Sequence, residues 1–433
     1  MTGTDRLSSG AAKGARLRIA LIAVGLACLL IAADEEPRWR VLNRAARQAV
    51  EAKDYAKLRE SLLELRPLMP GNPRIIYNLA AANARLGDAA AAMTELRNLA
   101  AAGLIYDFAA DADFSPLRES GEFATVVRQI AENRKAVSHS TPAFALTETD
   151  LLPEDLAYDA ATRRFFVSSV TQSKVIATDG REFAKADFSV LALRADSRRE
   201  ILWAATGWLP HCARCNKADE DKSALLAFDL ASGRLKQRIE SPVKGLLGDM
   251  TISSGGDVYV SEGIHGAVLH LRQGKTEMER LDVPGEFPSP QTPALSADEK
   301  ILYVPDYVRG IAAITLATGQ VAWLKPADNI VLSGIDGLYV YRDSFIAVQN
   351  GTSPARIVRF SLDLKKQEVL EANTPDLGEP THGTIVGNEF YFIANSGWGE
   401  FNDDGKKKPA SGPVRSTIRK MILSDQLGGA RPS

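Results

Sequence analysis

The chain has 433 residues, of which 45% are hydrophobic and 24% are charged. This composition is that of an ordinary globular protein, and the length is sufficient for two or three domains. The 52 basic and 54 acidic residues give a formal net charge of −2, and the run 406–408 holds only three lysines. We therefore expect no nucleic-acid partner.

Residues 1–35 have the pattern of an export signal. An apolar run, 19–33, is followed at once by acidic residues and is preceded by Arg6, Lys13, Arg16 and Arg18. The run is shorter than the roughly 20 residues that span a bilayer, which favours a cleaved signal peptide over an uncleaved inner-membrane anchor. Lipidation at Cys28 fits poorly because apolar residues continue beyond it. Each alternative predicts an exported, periplasmic protein, because the basic residues stay inside.

Residues 36–135 are predicted to be helical and to contain an internal repeat. The segment at 53–55 recurs at 87–89 and at 121–123, a period of 34 residues. This period resembles that of the tetratricopeptide repeat, a helix–turn–helix unit whose stacked hairpins form an α-solenoid. The resemblance implies a protein partner bound through the helices. We predict that Asn72 caps the second unit, and we expect the third unit to be irregular.

Residues 136–147 are predicted to be a linker followed by a strand that closes a β-propeller. This strand, from Phe144, and a second one from Ser416 both alternate polar and apolar residues. Propellers commonly pair strands from the two ends of the chain, because pairing removes an open sheet edge. The tail, 426–433, is predicted to lie outside the fold. Helices and propeller each have their own apolar pattern, so we expect each to fold alone.

Residues 148–425 repeat one pattern six times: a short strand that opens on a polar residue, a turn, and an aromatic or β-branched strand. Spacings of roughly 40 to 55 residues match one four-stranded blade per repeat. The sequence therefore predicts a mainly β protein, a six-bladed β-propeller preceded by a short α-solenoid. The repeats begin at Pro153, Val190, Gly248, Pro290, Ile335 and Pro380.

The blade openings resemble those of the senescence marker protein, gluconolactonase and luciferin-regenerating enzyme family, and more distantly those of strictosidine synthase and paraoxonase. The similarity is clearest in PEDLAYDAATRRFFVSS, from Pro153, and in PQTPALSADEKILYVPD, from Pro290. The family's enzymes hold one divalent cation in the channel with a Glu, one or two Asn and an Asp from different blades. The resemblance implies a lactonase or esterase-like activity in which this cation polarises a carbonyl.

The polar residues that open the blades are the predicted site. The resemblance gives Glu154 the family's Glu role and Asp336 its Asp role, while Gln291 and Asp249 stand where the family has Asn or Asn-Asp. The implied ligands are Glu154, Asp249, Gln291 and Asp336, for Ca²⁺ or another divalent metal. A wet channel without metal is the equal alternative. His382 opens the sixth blade as a candidate general base or as a structural histidine.

Cys212 and Cys215 form a CxxC pair within an insertion in the second blade. Outside the cytoplasm this spacing favours a local disulfide. A zinc site would need four ligands and only His211 is adjacent, and haem attachment would need a histidine where Asn216 stands. An inert dithiol and a redox pair remain as alternatives.

The sequence supports two functions. The first is an exported binding or scaffold protein, based on the helical repeats and on the incomplete set of family ligands, with a small-molecule ligand in the channel as a further expectation. The second is a divalent-metal-dependent lactonase or esterase-like hydrolase. Occupancy of the channel distinguishes them, because a propeller fold by itself implies neither.

Overall fold

The computed structural model describes residues 36–282, 285–409 and 411–428. The predicted signal segment, and Cys28 with it, lies outside these residues. The chain divides into two units, Met1–Val41 and Leu42–Ser433. The first contains the start of the first described helix, and the second contains the remaining elements.

Five α-helices precede the strands in the described chain. They are α1 (Arg38–Ala52), α2 (Tyr55–Leu65), α3 (Pro73–Arg85), α4 (Ala89–Ala101) and α5 (Gly121–Asn133). Among the described residues, no helix has both the length and the apolar character needed to cross a membrane.

The 34-residue spacing has a physical cause in the helix caps. Asp54 accepts a hydrogen bond from Lys57 N at the start of α2, and Asp88 accepts one from Ala91 N at the start of α4. Asn72 caps α3, as predicted. These side chains satisfy amide groups that have no partner within the helix. The repeated aspartates therefore mark the beginning of the second helix in two successive hairpins.

The third repeat departs from the hairpin pattern. Where its first helix is expected, the chain forms a 3₁₀-helix at Ala112–Leu117 with Pro116 inside it, and α5 follows with Ser120 as its cap. Proline lacks the amide hydrogen that an α-helix interior requires, which explains the short element. The helical core, including Phe114, also contains Val331 of the β-region.

The strands form six four-stranded antiparallel sheets, which confirms the predicted six-bladed β-propeller. The first strand within the described residues, β1, is Ser140–Ala145. Blade 1 contains β2 to β5, at Leu156–Asp159, Arg164–Ser169, Lys174–Ala177 and Glu182–Lys185. Blade 2 contains β6 to β9, at Ser189–Asp196, Ile201–Gly207, Ser223–Asp229 and Leu235–Glu240. Blade 3 contains β10 to β13, at Leu247–Ile252, Val258–Glu262, Ala267–Leu271 and Glu279–Arg280.

The other three blades follow in chain order. Blade 4 contains β14 to β17, at Ala294–Leu295, Ile301–Asp306, Gly310–Thr315 and Gln320–Trp323. Blade 5 contains β18 to β21, at Ile335–Tyr341, Ser344–Gln349, Arg356–Ser361 and Gln367–Ala372. Blade 6 contains β22 to β24, at Gly383–Val386, Glu389–Asn395 and Thr417–Ile422, with β1 as its fourth strand.

The two ends of the propeller sequence pair in blade 6. Strand β1 runs antiparallel to β24, with Ser140 opposite Met421 and Ala145 opposite Thr417. The closing strand begins at Ser140, four residues before the predicted start at Phe144. The pairing gives blade 6 four strands like the other blades, and it covers the edge of β24 that would otherwise be unpaired.

The first strand of each blade lies innermost. Strand β2 contacts β22 and β6, β6 contacts β10, and β18 contacts β14 and β22. These neighbours surround the central channel. Residues at the start of the inner strands therefore approach one another at one end of it.

Helices α2 to α5 and the propeller belong to the same unit, and polar groups join them. Gly71, in the left-handed conformation at φ 70°, accepts a hydrogen bond from Leu332 N, and an added Cβ would lie 3.0 Å from that nitrogen. Ile105 N donates to Ser353 O at 2.7 Å. The buried Arg356 donates to Ala102 O at 2.6 Å. The helices thus complete the hydrogen bonding of the loops that connect strands in blades 4 and 5.

Candidate functional site

Local strand irregularities direct two carboxylates into the channel. The pairing of β10 with β11 shifts between Leu247 and Asp249, and the pairing of β18 with β19 shifts between Ile335 and Gly337. Such β-bulges re-aim side chains. Asp336 is itself the extra residue of its bulge, and Asp249 follows the extra residue Gly248. Both carboxylates are buried.

His382 lies between three carboxylates. Its Nε2 is 2.6 Å from Asp249 Oδ1 and 3.6 Å from Asp336 Oδ1, and its Nδ1 is 3.9 Å from Glu154 Oε1. Nδ1 is also 2.8 Å from the backbone carbonyl oxygen of Glu154, to which it donates. This bond fixes the ring and turns Nε2 toward the carboxylates. Nε2 forms no hydrogen bond of acceptable angle there, despite the short distance to Asp249.

Burial and mutual repulsion change the pKa values of this cluster. Burial and the nearby Asp336 carboxylate together raise the pKa of Glu154 to about 8, against the lowering effects of His382 and Trp398. Burial also raises the pKa of Asp336 to about 6, and His382 opposes this shift. Burial lowers the pKa of His382, but Asp336 and Asp249 outweigh it and hold that pKa well above its usual value. The cluster therefore holds more negative charge than one imidazolium balances.

The cluster fits a divalent cation. One donor atom each from Glu154, Asp336 and His382 lie within 4.8 Å of one another, and all three side chains are largely buried. A cation at this position would offset the repulsion that raises the two carboxyl pKa values. Carboxylates combined with an imidazole suit Mn²⁺, Fe²⁺ or Zn²⁺ better than Ca²⁺, which prefers oxygen ligands alone. Asp249 lies beside Nε2 of the same histidine.

Neighbouring polar side chains hold the carboxylates in place. Trp398 Nε1 donates to Glu154 Oε2 at 2.5 Å, and Asn350 Nδ2 donates to Asp336 Oδ2 at 2.7 Å. The Tyr307 hydroxyl donates to Asn350 Oδ1 at 3.0 Å, which fixes the orientation of that amide. Such supporting contacts orient ligands and tune their charge.

Blade 2 contributes an arginine that the sequence analysis did not identify. Arg194 Nη1 lies 2.5 Å from Asp155 Oδ2, the same oxygen that accepts a hydrogen bond from Leu193 N. The charge of Asp155 raises the pKa of Arg194, although burial alone would lower it. An arginine inside the apolar run VLALRAD is the signal that was available, since a charge is buried only when it is paired.

The structure places the predicted site residues as follows. Glu154, Asp249, Asp336 and His382 meet in the channel. Gln291 lies outside this cluster because its amide nitrogen donates to Ser289. The next residue, Thr292, takes the corresponding position, and its hydroxyl donates to Asp249 Oδ1 at 2.9 Å. Blade 4 therefore directs Thr292, and not Gln291, toward the channel. In extended backbone, a shift of one residue reverses the direction of the side chain.

The predicted disulfide between Cys212 and Cys215 is confirmed. Its loop reaches the channel from blade 2. The neighbouring His211 ring packs edge-on against the Trp398 ring, with centroids 4.8 Å apart. Trp398, which was not predicted, therefore has the loop on one side and Glu154 as its hydrogen-bond partner.

A polar cavity of about 840 Å³ lies next to the cluster, between the loops of blades 5 and 6. Asn350 and Tyr307 line it, together with Glu379, Glu400 and Arg415. Asn350 contacts both this cavity and Asp336. The volume is within the range of small-molecule sites, and the charged lining is suited to a polar ligand.

Comparisons with known proteins find only distant structural similarity. No family model matches the chain, and no curated protein matches it. Among solved structures, a gluconolactonase from Xanthomonas campestris shares 14% identity over 67% of this chain and 98% of its own, with a TM-score of 0.43. Regucalcin, a calcium-binding protein from Agrobacterium tumefaciens, shares 16% identity over 66% and 98%, with a TM-score of 0.44. Virginiamycin B lyase from Staphylococcus aureus shares 14% over 65% and 98%, also with a TM-score of 0.44. Similarities this low do not bear on function.

Proposed function

We propose that this protein is a divalent-metal-dependent hydrolase of a small polar lactone or ester, with its site in the propeller channel. The observation that supports the proposal is the buried cluster of Glu154, Asp336 and His382. Buried carboxylates are costly to ionise next to one another, so a cluster of this kind needs a compensating charge. A bound cation would supply that charge and would polarise a carbonyl oxygen or activate a water molecule.

The residues of the chain have separate parts in this proposal. Glu154 and Asp336 hold the cation, each oriented by a neutral donor, Trp398 or Asn350. His382 uses Nδ1 to bond the backbone, which leaves Nε2 beside Asp249 to ligate the cation or to exchange a proton. The adjacent polar cavity admits the substrate. Metal-assisted hydrolysis needs this combination of ligands, proton acceptor and access.

Metal analysis together with a panel of lactones and esters tests the proposal. We expect purified protein to contain a divalent metal, and chelator-treated protein to regain stability when Mn²⁺ or Zn²⁺ is added, by about 2.7 kcal/mol at a hundredfold excess over Kd. Asp336→Asn should abolish both the stabilisation and any hydrolysis. Glu277→Gln, at an exposed residue of blade 3, is the control and should change neither.

Two outcomes would contradict the proposal. One is an identical melting curve with metal and with chelator. The other is a metal-bound protein that hydrolyses no lactone or ester in the panel. The first result would exclude the cation site, and the second would exclude the activity while leaving the site.

A non-catalytic scaffold is the second candidate, and one observation favours it. The large exposed apolar side chains of the described chain include Val50, Leu63 and Leu86 on or beside the helices, at 47%, 56% and 41% exposure. Exposed apolar patches often mark protein interfaces. Replacing Leu63 and Leu86 with Ser should then weaken capture of a protein partner and leave metal binding unchanged.

Export to an oxidising compartment is part of both proposals. The disulfide between Cys212 and Cys215 agrees with it, because such bonds are rare in the cytosol. Mass spectrometry of protein isolated without reductant and treated with an alkylating reagent would test it. Two alkylated thiols would argue against export.

A further inference from the structure

A second cavity, of about 350 Å³, lies between the helices and the propeller. Its helical wall is mixed: an apolar part consists of Leu58, Leu62 and Leu65 of α2 and Met69 after it, and a polar part consists of Asn43, Asn72 and Asn78. The four apolar side chains are at most 3% exposed. Ligand pockets of small molecules have this size and this apolar character. The cavity is separate from the polar one next to the channel.

Two positive charges border the same cavity. Arg47 of α1 and Arg74 of α3 line it and are exposed. Among the described residues, neither guanidinium has a hydrogen-bond or ion-pair partner. Arg74 also lies in the first turn of α3, where the helix dipole favours a negative charge. An apolar wall with unpaired guanidinium groups is complementary to an apolar chain that ends in an anion.

We propose that this cavity binds a single-chain amphipathic carboxylate, such as a medium-chain fatty acid. Its alkyl chain would lie against α2, and its carboxylate would pair with Arg74 and Arg47. Guanidinium groups bind carboxylates with two parallel hydrogen bonds, which favours this head group. A volume of about 350 Å³ is near the lower limit for ligand pockets, so the cavity admits one chain rather than a diacyl lipid.

Tyr307 lies between this cavity and the channel cluster. It lines both cavities, and its hydroxyl donates to Asn350, which in turn donates to Asp336. The carboxylate ligand would therefore bind on the far side of Tyr307 from the metal ligands. The inference does not depend on the proposed hydrolase, because none of the channel carboxylates lines this cavity.

Calorimetric titration of the full chain with decanoate, in the presence of chelator, tests the proposal. We expect saturable binding of one decanoate, which Arg74→Gln weakens about tenfold and Arg47→Gln weakens to a lesser degree. Leu62→Trp should block binding by filling the cavity. Leu63→Trp, at the exposed neighbouring position, and Arg59→Gln, outside the cavity on α2, are the matched controls and should bind as wild type does.

Several results would overturn the proposal. They are the absence of decanoate binding to wild type, equal affinity for decyltrimethylammonium, and equal binding by the Leu62→Trp and Leu63→Trp variants. If Leu62→Trp does not fold, as judged by circular dichroism, the surface substitution Arg74→Gln decides alone. Binding to phosphatidylglycerol vesicles without binding of decanoate would also overturn it, and would indicate a membrane surface site. Binding by Asp336→Asn as by wild type would separate this site from the proposed metal site.

Discussion

His382 has different partners at its two ring nitrogens. Nδ1 donates to a backbone carbonyl that does not titrate, whereas Nε2 faces carboxylates that do. The first contact sets the orientation of the ring and the second sets its charge. Because Asp336 and Asp249 hold the pKa of His382 well above its usual value, the ring is charged at neutral pH when no cation is present. A cation that replaces this charge would release the Nε2 proton.

The raised pKa of Glu154 predicts a pH-dependent stability of the metal-free protein. The pKa is about 8 in the folded state and near 4.5 in the unfolded state, so the folded state binds more protons between these values. This contribution to stability is complete below pH 4.5 and is lost as the pH rises through 8. We expect the stability of wild type relative to Glu154→Gln to fall between pH 5 and pH 8. Urea unfolding in chelator measures it, and a pH-independent difference would contradict the assigned pKa.

Trp398 is expected to act through Glu154. Trp398→Phe keeps the aromatic packing with His211 but removes the donor to Glu154 Oε2, so the pKa of Glu154 should rise further. Loss of such an orienting contact typically weakens metal binding about 10- to 100-fold. Titration with Mn²⁺ would measure this loss.

Trp323 provides a matched control for that substitution. Its indole also donates to a glutamate, Glu286, but in blade 4 and away from the channel cluster. Trp323→Phe should leave the affinity for Mn²⁺ unchanged. Equal losses in the two variants would show a general effect on the propeller.

At the scale of elements, one buried arginine joins the helices to blade 5. Arg356 is fully buried, and it donates to Gln349 Oε1 as well as to Ala102 O, the carbonyl that follows α4. Both acceptors would be left without a donor if it were replaced. An unsatisfied buried polar group costs about 1–3 kcal/mol.

Replacing Arg356 should therefore destabilise the chain and loosen the helices. We expect Arg356→Met to lower the free energy of unfolding by about 3 kcal/mol and to increase proteolysis in the segment 102–111. Arg342→Met, at a half-exposed arginine of the same blade, should cost little. Urea unfolding measures the first effect, and limited chymotrypsin digestion measures the second, because the segment 102–111 contains Tyr106 and Phe108 but no lysine or arginine. Equal behaviour of the two variants would show that Arg356 does not hold the helices.

These contacts change the expectation that the propeller folds alone. The two separate apolar patterns of the sequence predict that helices and propeller each fold alone, but these patterns do not include the polar contacts between them. Arg309, which is 5% exposed, donates to Leu68 O, and Val331 packs within the helical core. Removing the helices would expose Val331 and remove one acceptor each from Arg309 and Arg356, which keep Glu286 and Gln349 as acceptors in the propeller. We therefore expect the isolated propeller to be unstable.

The sequence predicted the elements better than their mutual contacts. The blade openings recur because every inner strand lies next to the channel. Asp54 and Asp88 recur because each caps the second helix of a hairpin. The contacts of Arg356 and Arg309 with the helical part have no such signal, since these acceptors lie more than 200 residues away. The site was predicted where a blade opens on a carboxylate or on His382. It was missed where a loop residue, such as Trp398, or a one-residue offset, as at Thr292, decides the contact.

For the whole molecule, the closed ring makes stability depend on the last strand. Arg359, which is 1% exposed, donates to the carbonyl and hydroxyl oxygens of Ser424, and β24 pairs with both β1 and β23. A chain that ends after residue 415 should fail to fold, because it lacks β24. A chain that ends after residue 425 keeps these contacts and should fold. Soluble yield and circular dichroism distinguish the two, and a folded shorter chain would contradict the closure argument.

Because β1 closes blade 6, this strand has no partner during most of the protein's translation. Strand β1 emerges before the other strands that the structure describes, yet its partner β24 is translated about 270 residues later. At about 5–20 residues per second, β1 remains unpaired for on the order of 15 to 50 seconds. Three of the six residues of β1, Thr141, Pro142 and Ala145, are exposed, and Pro142 lacks the amide hydrogen that pairing with another chain would use. Strand β1 can therefore remain unpaired until β24 is translated without promoting aggregation.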